Sequence, residues 1–183
     1  MTNGLAPAET LCEDWCPLFR YYSLAWSPDA NTVAAVADTP GPGGHPARIV
    51  LFDVATHEFD FLTEPMAGVQ HGPSWSPDGE HIAFSSNAAG SFDLWVAPVN
   101  SQVATQLTFD DGRELEPAWS PGDDRIVYTA RDDAGWHLRQ VDPEGRTSSA
   151  LLRSGRPSRA RFCLLYTSPS PRDATLSRMP SSA

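Results

Sequence analysis

Lysine is absent from this chain. All thirteen cations are arginines, scattered along 183 residues and outnumbered by twenty-three carboxylates, which leaves a formal net charge of −10. Binding a nucleic-acid backbone needs clustered cations, so that partner class is excluded, and basic partners are favoured in encounter. Long apolar runs are missing too. No stretch approaches the roughly 18 consecutive apolar residues of a membrane span, and no membrane insertion is expected. The opening "MTNGLAPAETLCEDWC" has neither the basic nor the apolar region of an export signal. As written the chain is expected to be cytoplasmic, with a periplasmic location open if Met1 is not the natural start. Cysteine is scarce: only Cys12 and Cys16 lie close together, and one Cys-x3-Cys pair lacks the second half of a zinc site. No Gly-x-Ser-x-Gly elbow, phosphate-binding glycine loop or His-Glu-x-x-His occurs. Neither a catalytic residue nor a cofactor or metal is therefore expected.

What the chain does have is one unit used three times. "AWSPDA", "SWSPDG" and "AWSPGD" place Trp-Ser-Pro at Trp26, Trp75 and Trp119. Seven residues on stand Val33, Ile82 and Ile126, and nine on stand Ala35, Phe84 and Tyr128. Side chains two apart share one face of a strand. Leu94 and Leu138 follow their Trp at nineteen, Leu107 and Leu151 at thirty-two; the first unit reaches Ile49 and Leu62 four residues late in both cases. One insertion explains both delays, and it lies in "ADTPGPGGHPAR", a loop by its Pro and Gly. Each unit reads as four short strands, in the second about "GPSWS", "HIAFSS", "DLWVAPV" and "ATQLT". Between the first two, Ser76-Pro77-Asp78-Gly79 has the residues of a type I turn: Pro presets the second position, Ser accepts from the turn backbone, and Gly tolerates positive φ. Asp29-Ala30 lacks that Gly in the first copy, and Pro121-Gly122-Asp123 transposes it in the third.

Gly68 and Gly112 stand seven before Trp75 and Trp119, and Gly155 stands seven before Phe162, so residues 155–162 read as the start of a fourth unit. From Cys163 the text "CLLYTSPSPRDATLSRMPSSA" has no apolar period. A disordered tail reads this way. Back-translation, however, yields two segments resembling a sequencing-library adapter, separated by an index-sized gap, so residues 163–183 are expected to be non-native read-through and are set aside. The native gene is then expected to be cut near Phe162. Residues 1–20 form an N-terminal segment in which "CPLFRYY" is a candidate closing strand.

The stretches "PSWSPDGEHIAF", "SFDLWVAPV" and "QLT" resemble the WD40-like repeat of TolB-type β-propellers, and the similarity runs over roughly Tyr21 to Phe162. The resemblance implies an all-β fold with four-stranded blades at about 21–66, 67–111 and 112–154 and the start of a fourth. A closed propeller takes about four to eight blades, so two sheet faces and a strand edge are expected to stand open for the remaining blades of a longer chain. It also implies a non-catalytic scaffold for a protein or peptide partner. Prolyl-oligopeptidase-like serine peptidases carry similar repeats ahead of a hydrolase domain, which makes an access-restricting propeller the alternative. A sensor module fused to an upstream domain is a third reading. TolB proteins themselves are exported and carry a preceding α/β domain, and neither feature is visible here.

The resemblance puts the first strand of each blade on the central channel, so His71, Glu114 and Glu116 are candidate channel-lining residues. Trp26, Trp75 and Trp119 have the chemistry to stack a sugar or base, but at fixed phase they are expected to be inter-blade core. Asp110-Asp111, Asp123-Asp124 and Asp132-Asp133 lack the ligand spacing of a calcium loop and read as turn solvation. His45, His57, His81 and His137 stand alone in sequence, as surface or packing residues.

Overall fold

The structure, a computed structural model, describes residues 21–38, 47–122 and 124–153. The segments 1–20, 155–162 and 163–183, together with His45, Asp123 and the three cysteines, lie outside it. The described residues form twelve strands and no helix. The first sheet is β1 (Tyr21–Trp26), β2 (Thr32–Asp38), β3 (Ala47–Asp53) and β4 (Phe59–Phe61). The second is β5 (Gln70–Trp75), β6 (His81–Ser86), β7 (Asp93–Pro98) and β8 (Thr105–Gln106). The third is β9 (Arg113–Trp119), β10 (Ile126–Asp132), β11 (Gly135–Val141) and β12 (Ser148–Arg153). Each is a four-stranded antiparallel meander in chain order, and none closes on another. This is an open, partial β-propeller.

Alternation explains why three sheets stack. Each has a leading face, turned toward the preceding blade, and a trailing face, turned toward the next. In the first sheet the cross-strand pairs Ala34↔Leu51 and Val36↔Ile49 lie on the trailing face, and Val33↔Phe52 and Ala35↔Val50 on the leading one. Ala34, Val36, Ile49 and Leu62 pack against Ile82, Phe84 and Ala97 of the second sheet. Ala83, Leu94, Val96 and Leu107 in turn pack against Trp119, Ile126 and Tyr128 of the third. Small residues on one face admit large ones from the other. A fully buried Ile, Leu or Phe side chain contributes about 1.5–3 kcal/mol, and a single sheet with two apolar faces has no other way to collect it.

The repeat landmarks follow this logic, with one departure. Trp119 is 9% exposed and Trp75 is partly buried against the first sheet, its indole N–H donating to the Ala25 carbonyl at 3.0 Å. Trp26 is 60% exposed and not core. It holds the same place on a leading face, but among the described residues no preceding blade meets it.

The turns also carry more than their local geometry. Ser76 Oγ donates to the Asp78 carboxylate and accepts the His81 N–H at 2.9 Å, beyond the turn itself, while Asp78 accepts the Glu80 N–H at 2.9 Å. Ser27 repeats this with Asp29 and the Thr32 N–H, at 2.6 and 2.9 Å. The hydroxyl thus ties the end of the first strand to the start of the second.

Candidate functional site

Each first strand is broken at one place. Pairing slips between Tyr22 and Ala25, between His71 and Ser74, and on β10 between Val127 and Thr129 opposite β9. Three residues before each Trp, Ser23, Gly72 and Glu116 take positive φ of 54°, 60° and 56°. An extra residue with left-handed backbone is the signature of a β-bulge, which bends the strand and re-aims its side chains. Glycine adopts this conformation freely; Ser23 and Glu116 adopt it at a cost, the kind of strain found at functional surfaces.

The three bulged strands lie side by side and wall a groove of about 1500 Å³. Along it runs a row of rings. Tyr22 lies 5.8 Å from His71, His71 lies 5.9 Å from Phe92, and the Arg113 guanidinium sits 5.1 Å over the Phe92 ring. One row therefore takes a residue from every blade. Glu116 also lines the groove. Burial holds the His71 imidazole below its usual range, with Asp38 and Glu116 pulling the other way. His71 is therefore neutral at pH 7 and offers both a donor and an acceptor. Burial, and then the Asp38 carboxylate that Tyr22 Oη approaches at 3.4 Å, raise the Tyr22 phenol.

Of the residues singled out from sequence, His71 and Glu116 stand on the groove, which Trp26, Trp75, Trp119, Ser76 and Pro77 line as well. Glu114 stands elsewhere: it is 0% exposed on the leading face of β9, where its N–H donates to the Phe92 carbonyl at 2.7 Å. Its carboxyl faces the blade interface beside Arg139, Nη1 to Oε1 3.8 Å, and burial pushes it up to about 7, with Asp110 and Asp93 adding to the rise. Tyr22, Phe92 and Arg113 were not anticipated as groove residues. A signal existed, since Tyr22 and His71 both stand four before a Trp and the Gly72-Pro73 and Glu116-Pro117 dipeptides mark a broken strand.

Asp132 accepts the Ala134 and Gly135 N–H groups at 2.8 and 3.1 Å and meets His137 Nε2 at 2.8 Å, so it caps a hairpin. Asp110 pairs with Arg139. Asp78, Glu80 and His81 bring ligand atoms within 4.8 Å of one another, but Asp78 already serves the turn and His81 packs 6.5 Å from the Trp119 ring.

Comparison with known proteins agrees with this architecture. The TolB beta propeller domain family matches residues 20–167. The Tol-Pal system protein TolB of Hydrogenovibrio crunogenus is 33% identical over 97 residues, 53% of this chain and 21% of that protein. The solved structure of a putative TolB from Agrobacterium tumefaciens aligns with a TM-score of 0.63 at 22% identity, covering 78% of this chain and 51% of that one. A Mycobacterium tuberculosis puromycin-hydrolyzing peptidase aligns with a TM-score of 0.59 at 20% identity, over 75% of this chain and 24% of its own. The chain thus spans about half or less of the length of each of these relatives.

Proposed function

Because the chain belongs to the TolB beta propeller domain family, we propose that it is a non-catalytic scaffold that holds a segment of a protein partner along the groove of its first strands. The observation that carries this reading is the row Tyr22, His71, Phe92 and Arg113, which draws on all three blades and ends in a cation. Rings and a neutral imidazole suit side chains of a peptide, and the unpaired backbone groups expected at a bulge suit its main chain. The overall charge of −10 favours a basic partner in encounter, with Arg113 and Glu116 setting its direction along the groove. That a relative is named for the Tol-Pal system supports a protein partner. It also favours the periplasmic alternative over the cytoplasm.

Panning a displayed peptide library on the chain tests this reading. Selected peptides should lose at least tenfold in affinity when His71, Phe92 and Arg113 are all changed to Ala. Peptides that bind the triple variant equally well would place the site elsewhere.

The similarity to a peptidase supports a second reading, in which the blades restrict access to a hydrolase domain encoded outside this sequence. A longer reading frame carrying Gly-x-Ser-x-Gly downstream would select it, and a stop after further blades would select the scaffold.

A further inference from the structure

We propose that Asp93 and Glu114, two buried carboxyls in the joint between the second and third blades, are a proton-operated latch on the groove: protonated, they keep Phe92 and Arg113 together, and ionised, they part them. The latch rests on the reading of the groove as a binding site and adds a means of regulation to it.

The acids stand one residue behind the groove wall. Phe92 immediately precedes Asp93, and Arg113 immediately precedes Glu114, so the ring and the guanidinium that stack at 5.1 Å share their backbone with the two carboxyls. A backbone bond joins these segments across the joint, from the Glu114 N–H to the Phe92 carbonyl at 2.7 Å. Asp93 is 1% exposed and Glu114 0%. A movement that brings the Glu114 carboxylate to water therefore pulls on the bond that keeps Phe92 beside Arg113.

The fold does not require acids here. In the joint between the first and second blades the same two places hold Arg48, which pairs with Ala37 as Asp93 pairs with Ser86, and Gln70. Arg48 donates to the Thr63 carbonyl and Gln70 to the Thr63 hydroxyl, and neither changes its charge near neutrality. With two carboxyls instead, the second joint answers to pH where the first does not.

The surrounding groups set the pH at which it answers. Burial raises the Glu114 carboxyl to about 7, with Asp110 between β8 and β9 and Asp93 on β7 adding to the rise; the Thr108 hydroxyl and Arg139 on β11, 3.8 Å from Oε1, hold it back. Burial likewise raises Asp93, whose Oδ2 accepts the Ser91 hydroxyl at 3.0 Å, and Asp110 adds to that rise as well. Tyr128 on β10 is pushed up to about 12, first by burial, and stays neutral. His137 on β11 is bonded to Asp132, His81 on β6 packs against Trp119, and His71 on β5 faces the groove. A carboxyl that holds its proton more tightly when buried than when exposed favours the buried state at low pH and the exposed state at high pH. The latch is thus shut below about pH 7 and loosens above it.

Nuclear magnetic resonance of the whole chain from about pH 6 to 8.5 tests the latch without a ligand. The Arg113 Nε–H resonance, displaced by the Phe92 ring, should move toward that of an unstacked arginine with a midpoint near pH 7. In Glu114→Gln it should hold still. In Asp93→Asn the midpoint should fall, because one opposing charge is gone. His71 is retained in all three chains, so its own titration cancels in the comparison. A peptide selected on the wild-type chain at about pH 6.5 should bind about fivefold or more weakly at pH 8.5, and Glu114→Gln should abolish that loss. A stationary resonance overturns the proposal, as does one that moves equally in Glu114→Gln or a midpoint unmoved by Asp93→Asn. So does a resonance that moves while the affinity of a peptide dependent on His71, Phe92 and Arg113 stays constant. Peptides indifferent to the triple variant overturn the binding-site reading instead, and the resonance then decides the latch by itself.

Discussion

Gln70 and Glu114 occupy the same place in successive blades, five residues before the Trp, and their interfaces treat them differently. Gln70 accepts the Ile49 N–H at 2.8 Å and donates to Thr63 Oγ1 at 2.8 Å, joining two blades with an uncharged side chain. In the next interface the Leu94 N–H goes to Thr108 Oγ1 instead, at 2.9 Å, and burial of the Glu114 carboxyl outweighs the lowering effects of the Thr108 hydroxyl and the Arg139 guanidinium. The folded chain therefore holds the Glu114 proton more tightly than the unfolded chain, about 7 against 4.5. Stability from this group is complete below pH 4.5 and is lost as pH rises to 7, a change of roughly 3 kcal/mol. Glu114→Gln copies the sister interface. Urea denaturation at several pH values should show this decline flattened and the variant more stable than wild type at pH 8. A second residue-level test concerns the turn. Ala30 sits at φ 59° where the second copy has Gly79 at φ 75°. Left-handed backbone costs an L-residue about 1–2 kcal/mol, and the greater freedom of glycine in the unfolded chain takes back part of it. Ala30→Gly should raise the urea midpoint modestly, by about 0.5–1 kcal/mol in stability.

Strands, not residues, decide what an indole contributes. Trp119→Ala removes a buried ring from the joint between two sheets and should cost about 3–5 kcal/mol by denaturant titration. Trp26→Ala, made where the ring is 60% exposed, should cost under about 1 kcal/mol. Equal losses would contradict the assignment of leading and trailing faces. The sheets themselves were legible in the sequence, because period-two alternation and a fixed spacing from Trp are properties of neighbouring residues. Ile82 and Phe84, chosen by phase, are both 0% exposed. Gly112, chosen the same way, lies so close to the Arg131 carbonyl that a Cβ would come within 2.6 Å of it. The groove was legible only in part. His71 and Glu116 reach it, but alternation along β9 turns Glu114 into the interface, and no count from Trp119 reveals which side of a bulge a residue takes. Phe92 and Arg113 belong to different blades, so their meeting depends on packing between sheets.

In the whole molecule, stacking and closure are separate sources of stability. Among the described residues two joints form, between the first and second blades and between the second and third. The bulges have a different consequence at this scale. Because the strand leaves the ladder at Ser23, Gly72 and Glu116 and rejoins it before the Trp, the bend at each is confined to its own strand and the residues that follow keep their register. The lining of the groove at the bulges is thus uncoupled from the stacking of the blades, and a new specificity could be written there one letter at a time while the folded body stays as it is.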